Sequence, residues 1–448
     1  MMRRVIPLVI VGILVLAVLF AVAACGGSNS TTTVPSASSS TASSETATSA
    51  TTASTAAGST DTTAASTDTS AAGPATGEPI KIGLLSSMTG AAAAGGSDIA
   101  NGAMAMAELI NSEGGINGRP IELLLEDDQA DVQAMTAIVQ KFAADKSITG
   151  IIGPFFNPIT PAARGVAEAQ QIPGVIASPA SLEMIAAEQT SPSKWTVFSD
   201  PSNRVLGDAI VKELKYAGLK NVVALSDVLT SNQEPVDVAV ELAKAEGITI
   251  TKLPDTFAPD QSDFQPIVNK FMETYNSLKP DGVLVMGTPV NTPVLYKQLR
   301  DRGVTVPMFG SPVADHPATI AIGGTEAVEG LYVLDTGGGA VSGQMPSDWP
   351  VKALQLKFTE TFTKKYNYPV NSLAADGASY VCVMAAALKV GGTDREQVRA
   401  ALHNITNLQT TIGLVSLSDQ NPNEGIQIGQ MVLLQIKNGA FEFVTVLK

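Results

Sequence analysis

Residues 109–128 read Leu-Ile-Asn-Ser-Glu-Gly-Gly-Ile-Asn-Gly-Arg-Pro-Ile-Glu-Leu-Leu-Leu-Glu-Asp-Asp. A stretch rich in alanine and methionine leads into this segment, and an apolar run ends it, which predicts a helix followed by a buried strand. Gly114, Gly115 and Gly118 lie between the two, where a sharp reversal needs backbone conformations of positive φ that cost little only for glycine. The segment therefore predicts one helix-to-strand connection of a layered α/β fold.

The same alternation extends through most of the chain. Near-continuous apolar strands that alternate with helices are typical of a parallel sheet covered on both faces. The pattern pauses at residues 191–202 and then restarts, so two βαβ series predict two similar lobes, and ligands are expected at the carboxyl ends of their strands. The predicted strands are residues 80–85, 121–125, 148–152, 174–177, 222–225, 248–253, 282–286, 306–309 and 331–334; the predicted helices are 97–111, 131–144, 160–170, 203–217, 236–245, 263–278, 292–302, 351–366, 373–388 and 395–403; a hairpin is predicted from 430–436 and 441–447.

The N-terminus has the pattern of an export signal. Arg3 and Arg4 precede an apolar run over residues 8–22, and Val-Ala-Ala-Cys25 follows in the order of a bacterial lipobox. Residues 1–25 are therefore expected to be a lipoprotein signal with Cys25 as the acylated residue, the alternative being a membrane anchor with an incidental cysteine. Residues 26–77, almost all Ser, Thr, Ala and Gly, predict a disordered tether, or else a stalk for O-glycosylation.

Composition limits what the remainder can do. Residues 78–448 exceed what one hydrophobic core normally holds, so two domains are expected. The formal net charge of −14 argues against a nucleic-acid partner, which needs a basic surface. No second long apolar run follows the N-terminal one, so the sequence does not predict a permease. Cys382 has no partner once Cys25 is acylated, and it is expected in the core.

Motifs of enzyme chemistry are missing from the sequence. There is no Gly-x-Ser-x-Gly, no phosphate-binding Gly-Lys-Ser/Thr and no dinucleotide-binding glycine pattern after the first strand. His316 and His403 are the two histidines and neither has metal-ligand spacing; His403 is expected to be solvated or to pair with a helix end. Asp127 and Asp128 are adjacent, which suits a helix cap and a solvated turn better than an acid/base pair. Reversible binding, without catalysis, cofactor or metal, is the remaining function.

Residues 78–448 resemble the branched-chain amino-acid-binding family of periplasmic solute-binding proteins, which serve ABC importers. The Asn-x-x-Gly-Gly-Ile-x-Gly turn at 111–118 carries the resemblance, supported by the segments 87–90, 152–154, 178–180 and 299–303. It implies a type I periplasmic-binding-protein fold, an α/β fold of two Rossmann-like lobes that close on a ligand by hinge motion. Crossings near Ser199, Leu334 and Gln430 would divide the chain into lobe 1 (78–199 and 334–430) and lobe 2 (200–333 and 431–448).

The resemblance also implies where a ligand would bind. In the family the first lobe holds the ligand's carboxylate and an acid of the second lobe pairs with its α-amino group. In this sequence Ser311 or Pro312 stands where the family has that acid, and Asp315 follows three residues later. Gly95 stands where the family has the aromatic residue of the first loop that covers the ligand. The implied ligand-binding residues are Asn157, Ala180, Ser181, Ser231, Asn232, Thr288, Pro312, Asp315 and Tyr380.

A buried ammonium without a carboxylate partner is strongly disfavoured. Either Asp315 turns inward, or the ligand is not an ordinary α-amino acid. The expected function is a monomeric, membrane-anchored, extracytoplasmic protein that delivers a small polar organic solute (an amino acid, amide or carboxylic acid) to an ABC permease. A sensory receptor that signals without transport, an adhesin with a Ser/Thr stalk, and an exported hydrolase using His316 are the alternatives.

Overall fold

The computed structural model describes residues 73–448 except 178–180, 189 and 423–424. The predicted signal segment, Cys25 and residues 26–72 of the tether lie outside the described residues. The described end of the tether is hydrogen-bonded to the glycine turn: the Ala75 amide donates to the Asn111 carbonyl at 3.0 Å and the Gly77 amide to the Gly118 carbonyl at 2.9 Å. Residues 75 and 77, which were predicted to belong to the tether, are therefore joined to the folded body.

The first half of the body is a five-stranded parallel sheet with strand order β2-β1-β3-β4-β5. Its strands are completely buried near the centre of the sheet, as the apolar runs predict. Its elements in chain order are β1 (Ile80–Ser86), α1 (Ala93–Ser112), β2 (Ile121–Asp127), α2 (Val132–Ala144), β3 (Ile148–Ile152), α3 (Thr160–Gln170), β4 (Gly174–Ile176), α4 (Leu182–Glu188) and β5 (Thr196–Phe198).

The second sheet has seven strands in the order β14-β13-β10-β9-β8-β6-β7, and only β13 and β14 run antiparallel to their neighbours. Its elements are α5 (Asn203–Tyr216), β6 (Asn221–Ser226), α6 (Thr230–Ala243), β7 (Thr249–Lys252), α7 (Gln265–Leu278), β8 (Gly282–Met286), α8 (Thr292–Asp301), β9 (Met308–Gly310), α9 (Ala318–Gly323), α10 (Thr325–Val328), β10 (Tyr332–Thr336), β13 (Met431–Lys437) and β14 (Ala440–Val446).

Between β10 and β13 the chain returns to the first sheet. It forms α11 (Lys352–Tyr366), α12 (Ser372–Gly391), α13 (Arg395–Leu402) and a hairpin of β11 (Asn404–Thr410) and β12 (Gly413–Ser418). Side chains of these elements share one apolar cluster with β1 and α1, and Cys382 lies buried in it, as predicted. Among the described residues α12 alone is long and apolar enough to cross a membrane, but 78% of its apolar window is buried inside the protein, as in a core helix.

The glycine segment forms the predicted reversal. Gly114, Gly115 and Gly118 have φ of 105°, 67° and 81°. The Asn111 side chain fixes the strand that follows, because its Oδ1 accepts from the Ile121 amide at 2.7 Å and its Nδ2 donates to the Ile121 carbonyl at 2.9 Å. The α/β class with two mainly parallel sheets, predicted from this alternation, is confirmed.

Several details differ from the sequence predictions. Helix α1 begins at Ala93, four residues before the predicted start, and α6 begins at Thr230, six residues before its predicted start. The sequence also did not predict α4, β5, α9, α10 and the β11–β12 hairpin. The chain moves between the sheets after Phe198, after Thr336 and before Met431. These positions lie close to the three predicted crossings, and β10 continues two residues beyond Leu334; the lobe boundaries themselves stay a prediction.

Candidate ligand-binding site

A cavity of about 340 Å³ lies where the carboxyl ends of both sheets meet. The residues after β1 and β3 supply one side, and those after β6, β8 and β9 supply the other, as expected for open α/β sheets. The first turns of α1 and α12 also reach it. Most of the lining is apolar, with Phe155, Leu206, Leu229 and Leu373 among the larger side chains.

Six of the predicted ligand-binding residues line this cavity. Tyr380 is almost completely buried, Asn232 is buried and the others are partly buried. Their position is compatible with ligand contact, which stays a prediction for each. The six residues are Asn157, Ser231, Asn232, Thr288, Pro312 and Tyr380.

The other three predicted residues are not among the lining residues. Ala180 lies outside the described residues. Ser181 is buried beside α4, where its Oγ accepts from the Met184 amide at 3.2 Å. Asp315 turns neither into the cavity nor into solvent: its carboxylate accepts from the Ser372 amide at 2.6 Å and from the Ser372 hydroxyl at 2.7 Å.

Hydrogen bonds between neighbouring loops fix the second-sheet side of the cavity. Ser311 donates from its hydroxyl to the Gly287 carbonyl at 2.8 Å, and Thr288 donates to the Pro259 carbonyl at 3.0 Å. The Asn232 amide donates to both carboxylate oxygens of Asp227 at 3.0 and 2.9 Å. Burial raises the pKa of Asp227 to about 6, although these hydrogen bonds lower it. These loops are therefore held in shape before a ligand arrives.

The sequence reasoning missed three aspartates of the cavity lining: Asp260, which is exposed, and Asp200 and Asp376, which are less so. Asp200 follows β5 and is 3% exposed; its Oδ2 accepts a 2.5 Å hydrogen bond from the Tyr380 hydroxyl. Asp376 lies in α12, one turn before Tyr380, and is partly exposed. Asp376 is the only charged residue in the first seventeen of α12, and that isolated charge in an apolar helix was the available signal.

Asp200, Asp315, Asp335 and Asp376 form what we call the carboxylate cluster. Burial raises the pKa of Asp200 and of Asp315 to about 7 in each case. Burial also raises the pKa of Asp335 well above its usual range, and Asp315 adds to this. The pKa of Asp376 is raised by burial and then by the charges of Asp200, Asp315 and Asp335.

The remaining candidates have structural roles. His316 lies outside the cavity lining; its Nε2 is 3.1 Å from Asp98 Oδ2, and its Nδ1 accepts from the Ala318 amide at 2.9 Å. The expectation that His403 is solvated is wrong, because its side chain is 2% exposed at the end of α13, which packs into the core.

Asp128 is buried and accepts a hydrogen bond from the Ser87 hydroxyl, so it does not lie in a solvated turn. The residue that caps α2 is Asp131. Within the described residues no three His, Cys, Asp or Glu side chains are grouped to hold a metal ion.

The sequence matches the family model described as "Periplasmic binding protein" over residues 79–440, which is most of the chain. The chain belongs to the periplasmic binding protein family. Two curated relatives of this periplasmic binding protein span most of its length. Leu/Ile/Val-binding protein homolog 3 of Brucella melitensis is 23% identical over 342 residues, covering 76% of this chain and 87% of that protein. Leu/Ile/Val-binding protein BraC3 of Rhizobium johnstonii is 24% identical over 348 residues, covering 77% and 89%.

Solved structures agree with this assignment of the periplasmic binding protein. A leucine binding protein, LivK, from Thermotoga maritima superposes with a TM-score of 0.69 at 22% identity, covering 82% of this chain and 99% of that one. LivJ from Streptococcus pneumoniae, solved in complex with isoleucine, has a TM-score of 0.67 at 20% identity and the same coverage. These likenesses confirm the type I fold, and with the relatives they confirm the resemblance to the branched-chain amino-acid-binding group.

Proposed function

We propose that this protein is an extracytoplasmic solute-binding protein that captures a small polar organic solute between its two lobes and delivers it to an ABC importer. The observation that carries the proposal is the cavity between the carboxyl ends of two sheets. The names of the curated relatives, Leu/Ile/Val-binding proteins, support a solute of amino-acid size. In this proposal the protein is a monomer, catalyses no reaction and is anchored through acylated Cys25.

The proposed mechanism is hinge closure. Three connections join the sheets, after Phe198, after Thr336 and before Met431, and three connections of this kind permit one lobe to rotate against the other. Side-chain contacts already link the two halves: the Leu182 amide donates to Glu234 at 2.9 Å and His316 contacts Asp98. Asn157 and Ser231 lie on opposite sides of the cavity and would both contact an enclosed solute.

A thermal-shift screen of amino acids, their amides and short carboxylic acids tests the proposal. A solute at about 100 times its Kd raises stability by about 2.7 kcal/mol, which gives a clear increase in Tm. The absence of a response to every solute in the screen would contradict solute binding. The anchor has its own test, since Cys25→Ser should move the protein from the membrane fraction to the soluble fraction.

A further inference from the structure

The cavity has an unbalanced charge. Among its described lining residues, three are aspartates and none is lysine, arginine or histidine. Asp260 is exposed at the rim, whereas Asp200 and Asp376 lie deeper, on the side formed by the connection after β5 and by α12. A ligand that enters this cavity therefore meets acidic side chains and no basic side chain among the described lining residues.

Asp200 is incompletely bonded. Tyr380 satisfies its Oδ2, but its Oδ1 has no hydrogen-bond partner although the side chain is almost fully buried in the cavity lining. A buried carboxylate oxygen without a donor is unfavourable, so a donor brought by a ligand would be favoured there. This unpaired oxygen is independent of the charge balance and favours the same kind of ligand.

Asp376 completes the arrangement. It lies four residues before Tyr380 on α12, so both side chains are on one face of the helix, and Tyr380 reaches Asp200. Two carboxylates and one phenol therefore converge on one side of the cavity. The apolar side chains of Phe155, Leu206 and Leu373 cover other parts of it.

We propose that Asp200 and Asp376 bind a protonated nitrogen of the ligand, and that the ligand is an organic ammonium cation with an apolar body. This inference rests on the proposed function and specifies its ligand class. It also assigns the acid that pairs with the ligand: Asp315, the candidate from the resemblance, is occupied by Ser372, whereas Asp200 and Asp376 line the cavity. A carboxylate on the ligand is not required.

The protonation of the cluster gives a second readout. Burial raises the pKa of both Asp200 and Asp376, which favours their protonated forms in the empty cavity. A cation favours their ionised forms, so its binding releases protons and its affinity rises with pH. The charged and titratable groups that face them are Asp315 from the turn after β9, Asp335 from the end of β10 and Tyr380 from α12, with His316 and Asp98 next to Asp315.

The experiment uses four probes that share the 2-methylpropyl side chain of leucine: 3-methylbutylamine, leucinamide, leucine and 4-methylpentanoate. Calorimetric titration should show binding of the probes that carry the ammonium group and none of 4-methylpentanoate. Asp376→Asn should weaken the affinity of a bound amine about tenfold or more, since it removes a charge-assisted contact. Asp348→Asn, an exposed aspartate outside the cavity lining, is the matched control and should leave the affinity unchanged.

Each outcome separates the two proposals. Binding of 4-methylpentanoate in preference to the amine, or full amine affinity in Asp376→Asn, overturns the cation site and leaves solute binding intact. Failure of all four probes and of the wider solute screen overturns both. If Asp376→Asn does not fold, the wild-type protein still decides: amine affinity that falls from about pH 6 to pH 8, or binding heats equal in buffers of different ionisation enthalpy, contradicts the proposal.

Discussion

Tyr380 joins helix α12 to the connection after β5 through one buried hydrogen bond to Asp200. The phenol donates to a carboxyl group whose pKa burial raises to about 7, and this hydrogen bond opposes the increase. Donation to an ionised acceptor is stronger than donation to a neutral one. The contribution of Tyr380 to stability should therefore grow as Asp200 ionises.

Tyr380→Phe tests this single contact. We expect it to lower the free energy of unfolding by about 1–3 kcal/mol near pH 8, where it leaves a buried carboxylate with one donor fewer, and by less near pH 5. Urea denaturation at the two pH values measures the difference. Tyr216→Phe, which removes a hydroxyl from a 54% exposed side chain, is the control and should change neither value. An equal loss at both pH values would mean that Asp200 does not titrate in this range.

At the residue scale the sequence predicts which loops reach the cavity but not which side chains turn into it. Asn157 and Thr288 follow buried strands, and both line the cavity. Asp315 also follows a strand, yet it pairs with Ser372, 57 residues further along the chain. Asp376 lies within a mostly apolar helix, whose sequence predicts a buried element of the core. Such choices depend on contacts between distant segments, which no local pattern contains.

At the scale of elements, α1 and α12 touch through their backbones. A Cβ atom on Gly102 would lie 1.9 Å from the Ala374 carbonyl oxygen, and one on Gly377 would lie 2.0 Å from that of Ile99. The first turns of both helices line the cavity, so this close crossing also sets the spacing of its first-sheet side. The glycines are needed for packing here, although both are unfavourable for a helix.

Gly102→Ala should separate the two helices. Because the obstacle is backbone, which cannot move aside as a side chain can, we expect a loss of about 2–3 kcal/mol or more in the free energy of unfolding. Gly165→Ala is the matched control at an exposed position of α3, where a Cβ has no atom within 4 Å, and it should be neutral or stabilise by up to about 1 kcal/mol. Thermal and urea unfolding of both variants give the comparison, and similar effects in the two would contradict the crossing.

Periodicity predicts most of the helices and buried strands, but not all of their ends. Helices α2 and α13 begin within one residue of their predicted starts, since each has a regular apolar face. Helix α1 was placed four residues late because Gly95 and Gly96 read as loop residues. Strands β11 and β12 were missed even though β12 alternates between buried and less buried residues over Gly413–Ser418. Its sequence is short, and it pairs with β11, whose sequence is mostly polar.

At the scale of the whole molecule, the two sheets meet around the carboxylate cluster. Asp315 and Asp335 come from the second-sheet side, Asp376 comes from α12 on the first-sheet side, and Asp200 lies in the first connection. The Asp315–Ser372 contact bridges the two sides. No alternation of strands and helices could have predicted that four acids gather where the chain changes sheets.

The cluster makes stability depend on pH with a definite sign. Asp200 and Asp315 have folded-state pKa values of about 7, above an unfolded value near 3.8, so the folded protein binds more protons between these values. Their stabilisation is complete below about pH 4 and is lost as the pH rises through 7. We expect the empty protein to lose at least about 1.4 kcal/mol, the free energy of one pKa unit, between about pH 5 and pH 8. Carboxylates with lowered pKa values, such as Asp127, have the opposite effect, but only at lower pH.

Thermal unfolding across this range in the absence of ligand measures the slope. Asp315→Asn should flatten it, because the amide cannot ionise, while the exposed Asp348→Asn should keep it. Two members of the carboxylate cluster, Asp200 and Asp376, line the cavity. A bound cation should therefore also reduce the dependence of Tm on pH, because it stabilises the ionised cluster at high pH. A Tm that rises steadily from about pH 5 to pH 8 in the empty protein would show that the carboxylates are already ionised, and that solvent reaches the junction of the two sheets.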